Sequence, residues 1–164
     1  MEKINYKVVD NFLPEKEFKT LRDRIMSQDF NWFCIEGVSY HSAKDGVYFI
    51  HTFFDEFQRT SNFFNLIRPI LDKIKVKALI RAKANLYPKT EKLVRHGLHK
   101  DYKWGEAPGL IFSINDCDGE TYLKDKVRVV SKANRALFFD AGEDHASTSC
   151  TDQDRRVNIN FNYF

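Results

Sequence analysis

Two hydrophobic periods divide this chain near Lys75. Before that point apolar residues recur three and four positions apart, the spacing of one helix face. The stretch "LPEKEFKTLRDRIMSQ" predicts a helix with Phe18, Leu21, Ile25 and Met26 on its buried stripe. Pro14 suits the first helical position, and Glu15 and Glu17 suit the positive N-terminal end of the helix dipole. "TSNFFNLIRPILDKI" predicts a second helix, capped by Thr60 or Ser61 and burying Phe63, Phe64, Ile67, Ile70, Leu71 and Ile74. Pro69 inside it predicts a kink or an early break, because proline lacks the N–H and clashes with the preceding turn. "YKVVDNF" reads as a short strand ahead of the helices, and "DGVYFIHTFF" between them reads as extended.

After Lys75 the period is two. "KVKALIRAKANLY" sets Val76, Ala78, Ile80, Ala82, Ala84 and Leu86 against Lys77, Leu79, Arg81, Lys83, Asn85 and Tyr87. Further strands are predicted at "GLIFSI", "ETYL", "VRVV", "RALFFD" and "RRVNINFNYF", with turn signals at "NDCDG" and "DAGED". Helices first and antiparallel strands second make an α+β chain, a β-sandwich buttressed by helices on the outer face of one sheet. The alternation then has two readings. If helices cover the outer face, Val157, Ile159 and Phe161 meet them, while Arg156, Asn158, Asn160, Arg81, Lys83, Asn85 and Tyr87 point between the sheets. In the other reading the polar set simply faces water, as on most half-exposed antiparallel strands.

Composition narrows the function classes. The 164 residues suit one domain, with 1–74 mainly helical support and 75–164 the β core. Lys and Arg number 26 against 23 Asp and Glu, with both signs interspersed, so nucleic acid is not implied as a partner. Cys34, Cys117 and Cys150 are scattered and form no metal-binding pair, which suggests reduced thiols and a cytoplasmic location. No segment has the length and apolarity of a membrane span or the pattern of a signal peptide.

The candidate chemistry lies in "RHGLHKDY". On a strand, His99 and Asp101 leave the same face and His96 the opposite one. Two histidines and one carboxylate on one face of a metal leave three positions open, the arrangement of non-heme Fe(II) oxygenases. A closed zinc site would need a fourth ligand, preferably a thiolate, and no such spacing exists. The third ligand would be His145, in "DAGEDHAST"; an exposed loop histidine is the plainer reading. His41 and His51 are weaker candidates. Arg156 follows His145 and offers the rigid fork that a dicarboxylate co-substrate needs, whereas a solvated charged turn would account for Arg155 alone.

These pieces together resemble the Fe(II)/2-oxoglutarate-dependent dioxygenases, in their prolyl-4-hydroxylase-like branch. "ANLYP…RHGLHKDY" is similar to the family's strand and HxD motif, and "IFSINDCDGETYL" to its Gly-Gly-Glu-Thr segment, with Asp118 for the first glycine. "VVSKANRALFFDAGEDHAST" resembles the strand leading to the distal histidine, with Asn134 where glycine is usual, and "RRVNINFNYF" the final strand. The resemblance implies a double-stranded β-helix (jelly-roll), with His99, Asp101 and His145 holding Fe(II). It further implies that Arg156 binds the distal carboxylate of 2-oxoglutarate and that Tyr87 lines the co-substrate pocket. The implied reaction is hydroxylation with O2 as co-substrate, release of succinate and CO2, and ascorbate as reductant. The implied substrate is a prolyl residue in a peptide or protein; a free amino acid, another small molecule or a nucleobase are alternatives. Arg81, Tyr102 and Trp104 are candidates for the substrate groove, and Ser113 stands where relatives often carry a second co-substrate tyrosine. A jelly-roll binding protein without catalysis is the reading of a different class.

Overall fold

The computed structural model describes residues 4–36, 46–102 and 107–164. Strand β1 (Lys7–Val9) leads into helix α1 (Glu15–Ile25), followed by β2 (Phe33–Glu36), β3 (Val47–Asp55) and β4 (Gln58–Arg59). A 3-10 turn (Phe64–Ile67) runs into helix α2 (Arg68–Ile74) and then β5 (Leu79–Pro88). The remaining strands are β6 (Pro108–Ser113), β7 (Glu120–Leu123), β8 (Val127–Val130), β9 (Arg135–Asp140), β10 (His145–Ser147) and β11 (Arg155–Tyr163). The larger sheet has the order β1-β9-β6-β11-β5-β3-β2, with β4 on β3, and the smaller one the order β10-β7-β8. Its long central pair, β5 and β11, runs antiparallel in register from Arg155 opposite Pro88 to Asn162 opposite Arg81.

The outer face of the larger sheet meets the helices. Ala82, Ala84 and Leu86 of β5 and Val157, Ile159 and Phe161 of β11 share one buried cluster with Phe18, Leu21 and Ile25 of α1 and with Ile67 and Ile70. The polar set of both strands therefore faces inward, and the reading in which it faces water does not hold. A second cluster, Ile111, Leu137 and Phe139 with Leu123 and Val129, joins the two sheets across the interior. The result is a jelly-roll with helices on one outer face.

Several local features differ from the sequence reading. Pro14 is the residue before α1, extended at φ −53° and ψ 141°, and not its first helical residue. The second helix is split: Pro69 lies in the first turn of α2, its missing N–H costing nothing there, and the preceding turn is 3-10. Ser61 Oγ accepts the Phe63 N–H at 2.9 Å ahead of that turn. Residues 1–74 do more than supply helical support, since β1 pairs with β9 and β3 with β5. Asn134 has φ 60°, a left-handed conformation that glycine or asparagine adopts most readily. Its side chain also accepts the Leu13 N–H and donates to the Leu13 carbonyl, both at 2.8 Å. Asparagine thus replaces a glycine and pins the entry of α1 to the start of β9.

Candidate metal centre

The smaller sheet and the HxD segment are zipped together. His99 N–H donates to the His145 carbonyl and His145 N–H to the His99 carbonyl, both at 2.9 Å. The Ala141 carbonyl accepts the N–H groups of Asp101 and Tyr102, both at 3.0 Å. Asp140 Oδ1 accepts from Ala107 N at 3.1 Å and Gly142 N at 2.8 Å, which fixes the turn that presents His145. His145 is the first residue of β10 and buried, so it is neither a turn residue nor an exposed loop histidine.

The ligand atoms of His99, Asp101 and His145 lie within 4.8 Å of one another. His145 Nε2 is 3.4 Å from Asp101 Oδ2, and His99 Nε2 is 3.9 Å from Asp101 Oδ1. Each ring has its other nitrogen engaged: His99 Nδ1 donates to the Gly97 carbonyl at 3.2 Å and His145 Nδ1 to the Glu143 carbonyl at 3.0 Å. A carbonyl partner fixes the proton on Nδ1 and leaves the Nε2 lone pair bare, as a metal ligand requires. Burial, and then the neighbouring His145, lower the pKa of His99 and favour the neutral ring.

Asp101 is held from the larger sheet. Arg81 Nη2 donates to Oδ1 at 2.9 Å, Asn160 Nδ2 to Oδ2 at 2.6 Å and Asn162 Nδ2 to Oδ2 at 3.4 Å. Burial alone would raise this carboxyl, but His145, Arg81 and Asn160 hold it well below the ordinary carboxylate range. Sequence reasoning missed Asn160 and Asn162 as partners of Asp101. The signal was present in "VNINFNYF", where asparagine recurs on the inward parity.

A cavity leads away from the triad, lined by Asn85, Tyr87, Ile111, Thr121, Ser147, Asn158 and Asn160 among others. Arg156 stands behind two of these lining residues, donating to Thr121 Oγ1 and lying over the Tyr87 ring, and is 1% exposed. Its Nη1 donates to the carbonyls of Glu120 (2.6 Å) and Thr148 (3.0 Å), its Nη2 to Thr121 Oγ1 (2.8 Å), and its Nε has no partner. No carboxylate of the described residues lies within ion-pair distance of it. Leaving a buried cation unpaired costs several kcal/mol, about what breaking a buried pair costs. Gly119 makes room for this arginine: a Cβ there would lie 2.6 Å from Arg156 Cδ and 2.7 Å from the Ser149 carbonyl oxygen. Asp118, which stands where the motif has glycine, accepts the Thr151 N–H at 2.8 Å and the Thr151 hydroxyl, tying the loop before β7 to the loop before β11.

Tyr87 is buried, stacked on Tyr48 at 5.8 Å and on His96 at 5.0 Å, with the Arg156 guanidinium 5.8 Å above its ring. Burial raises its phenol, which therefore stays protonated. Ser113 is buried beside Asn158, whose amide oxygen accepts from Asn85 Nδ2 at 3.0 Å. His96 bonds Ser147 Oγ through Nδ1 at 2.8 Å and is not part of the triad. His51 lies elsewhere, bonded to the Asn31 carbonyl and to Ser61 Oγ, each at 2.7 Å. Of the residues expected in a substrate groove, Arg81 is engaged with Asp101, and the Tyr102 ring packs edge-on against Phe164 at 5.9 Å. Trp104, like His41, lies outside the described residues.

No family model and no curated protein matches this chain. Solved structures do. The collagen prolyl hydroxylase of Paramecium bursaria Chlorella virus-1, in its 2-oxoglutarate complex, matches with TM-score 0.63 and 12% identity over 96% of this chain and 93% of its own. A prolyl-4-hydroxylase of Pseudomonas putida matches with TM-score 0.61 and 13% identity over 98% and 92%. The non-heme α-ketoglutarate-dependent epimerase SnoN of nogalamycin biosynthesis matches with TM-score 0.68 and 15% identity over 98% and 78%. The chain has the fold that these proteins share. Among the described residues, no helix is long and apolar enough to cross a membrane.

Proposed function

We propose that this chain is an Fe(II)- and 2-oxoglutarate-dependent oxygenase that hydroxylates an organic substrate and releases succinate and CO2. The observation that carries the reading is a pair joined by the lining of one cavity, which includes His99 and His145 and also Thr121 and Tyr87, the two residues that touch Arg156. One member is a His-Asp-His group with both Nε2 lone pairs bare, and the other a buried guanidinium with an N–H to spare. The residues fit a divalent cation: three ligands on one side, two of them neutral imidazoles and one an ionised carboxylate. Bound iron would supply the activation of O2, coupled to oxidative decarboxylation of the keto acid.

The rest of the work falls to this chain. Arg156 receives the distal carboxylate of 2-oxoglutarate, for which it has charge and an unused N–H. Thr121 Oγ1 accepts from Arg156 and so keeps its own hydrogen free for the same carboxylate. The protonated Tyr87 phenol and the Asn158 amide line the co-substrate space, and Asn158 takes the part that a second tyrosine would have played at Ser113. Arg81, Asn160 and Asn162 orient Asp101 and keep it ionised. Ile111 and Ala146 are the apolar part of the lining and limit water beside the keto acid.

The similar structures divide between prolyl hydroxylases and an epimerase, so the prolyl substrate rests on the sequence resemblance alone. The test is O2-dependent conversion of 2-oxoglutarate to succinate, alongside iron content by mass spectrometry. Wild type is expected to bind one iron and turn over, His145→Ala to lose both, and Arg156→Ala to keep iron but lose turnover at low 2-oxoglutarate. Turnover unchanged in both variants would reject the proposed roles.

A further inference from the structure

The inward face of the larger sheet is arranged in rows, because residues opposite each other on antiparallel strands share a face. One row crosses β3, β5, β11 and β6 as Thr52, Lys83, Asn160 and Ile111. This row stands at the level of the triad, since Asn160 bonds Asp101 from within it. The neighbouring row towards Arg156 holds Ile50, Asn85, Asn158 and Ser113, of which Asn85 and Asn158 line the co-substrate cavity.

Lys83 is the anomaly of the metal row. Arg81 is paired with Asp101, and Arg156 donates to two carbonyls and a hydroxyl. The Lys83 ammonium, half-buried, has no hydrogen-bond or ion-pair partner among the described residues; the contact it makes is with the Tyr48 ring, 5.9 Å from Nζ to its centroid. Burial and then the Arg81 charge lower its pKa to about 8, against the pull of Asp101 and of Asp55, which is exposed at the end of β3. The group is still largely a cation at neutral pH. Beside it Asn160 Oδ1 is a buried acceptor with no partner.

The charge balance points the same way. With a divalent cation and a dianionic keto acid in place, the positive charges of the metal, Arg81 and Arg156 already outnumber those of Asp101 and the keto acid. Lys83, which is not among the residues lining the co-substrate cavity, adds one more. A desolvated surplus of positive charge beside the reacting position favours an anion and disfavours a cation.

We propose that Lys83 is the substrate-binding residue of this site and that it takes a carboxylate carried by the substrate. The inference rests on the oxygenase reading for the word substrate, though not for the anion site itself. It moves the expected substrate from a neutral prolyl residue inside a chain towards a molecule with a carboxylate near the carbon that reacts. A free amino or imino acid has this feature, and so does an acidic side chain of a peptide.

The test uses acetate as the probe and acetamide as its neutral control. Reductive methylation with 13C-formaldehyde labels the lysines and keeps their charge. The Lys83 signal is identified by its absence in Lys83→Arg, and Zn(II) replaces iron to keep the spectra diamagnetic. The Lys83 signal is expected to shift saturably with acetate, at concentrations on the order of millimolar, with Zn(II) and 2-oxoglutarate bound. Acetamide is expected to leave it unmoved, and the signals of exposed lysines such as Lys16 to drift without saturation. No shift, or an equal shift with acetamide, would overturn the proposal. A shift with acetate that 2-oxoglutarate abolishes would also overturn it, because Lys83 would then belong to the co-substrate. Competition for the shift by L-proline or by a glycyl-glutamyl-glycine peptide distinguishes a free acid from a peptide side chain. Saturable binding in a protein that fails to convert 2-oxoglutarate would keep the anion site and reject the oxygenase.

Discussion

Strands β5 and β11 have two faces with opposite properties. On the outer one Ala82, Ala84, Leu86, Val157, Ile159 and Phe161 are buried with the helices, dry and without polar partners. On the inner one, one residue away at every step, stand Arg81, Lys83, Asn85, Tyr87, Arg156, Asn158, Asn160 and Asn162, which include the partners of Asp101 and part of the cavity lining, the proposed metal support and co-substrate cradle. One face stabilises the sheet; the other carries groups that folding alone would not select. Arg156 illustrates the second kind: a buried cation with no carboxylate partner among the described residues costs stability, which the proposed co-substrate role would account for.

The contrast is open to test from both sides. Phe161→Ala empties the outer face and is expected to destabilise the fold by about 3–5 kcal/mol in denaturant unfolding, while the variant that remains folded still binds iron. A loss of iron affinity in folded protein would show that the faces are not independent. Arg156→Ala should weaken 2-oxoglutarate by about 2–5 kcal/mol in a calorimetric titration, with iron affinity changed far less. Asn160→Ala removes one support of Asp101 and is expected to lower iron affinity roughly 10–100-fold, measured by competition with a chelator. An unchanged affinity would mean that Arg81 and Asn162 suffice.

The smallest effect lies at the sheet's edge, away from both faces. Hydrogen bonds from Arg135 and Lys132 hold the Asp10 carboxyl below its ordinary range. Its contribution is therefore full above the unfolded value of about 4 and is lost as the pH falls. Asp10→Asn is expected to cost no more than about 1 kcal/mol at pH 7, and less at pH 3, because the group is solvent-screened.

Alternation made most of this legible from the sequence. The inward parity of Arg156, Asn160 and Tyr87 follows from a period of two, and His99 with Asp101 from their spacing on an extended segment. What the sequence did not carry was contact between distant segments. Arg81 falls on the inward face by parity, but its role depends on β5 starting beside the HxD segment, which brings its guanidinium to Asp101. β10 was not predicted because three residues after a turn are too few to show a period; they are ordered by β7, opposite Thr121 to Leu123. β3 was read only as extended, since its run of Tyr48, Phe49, Ile50, Phe53 and Phe54 is apolar on both parities and fits a strand covered on both sides.

The central claim, that the triad and Arg156 are two ends of one iron and keto-acid site, is tested most directly by anaerobic titration. Fe(II) is added to purified protein, then 2-oxoglutarate, while the visible spectrum is followed for the metal-to-keto-acid charge-transfer band. The band is expected to appear in wild type only after the keto acid is added, to be absent in His145→Ala, and to need far more 2-oxoglutarate in Arg156→Ala. A folded, iron-loaded wild type that shows no band at saturating 2-oxoglutarate would contradict it.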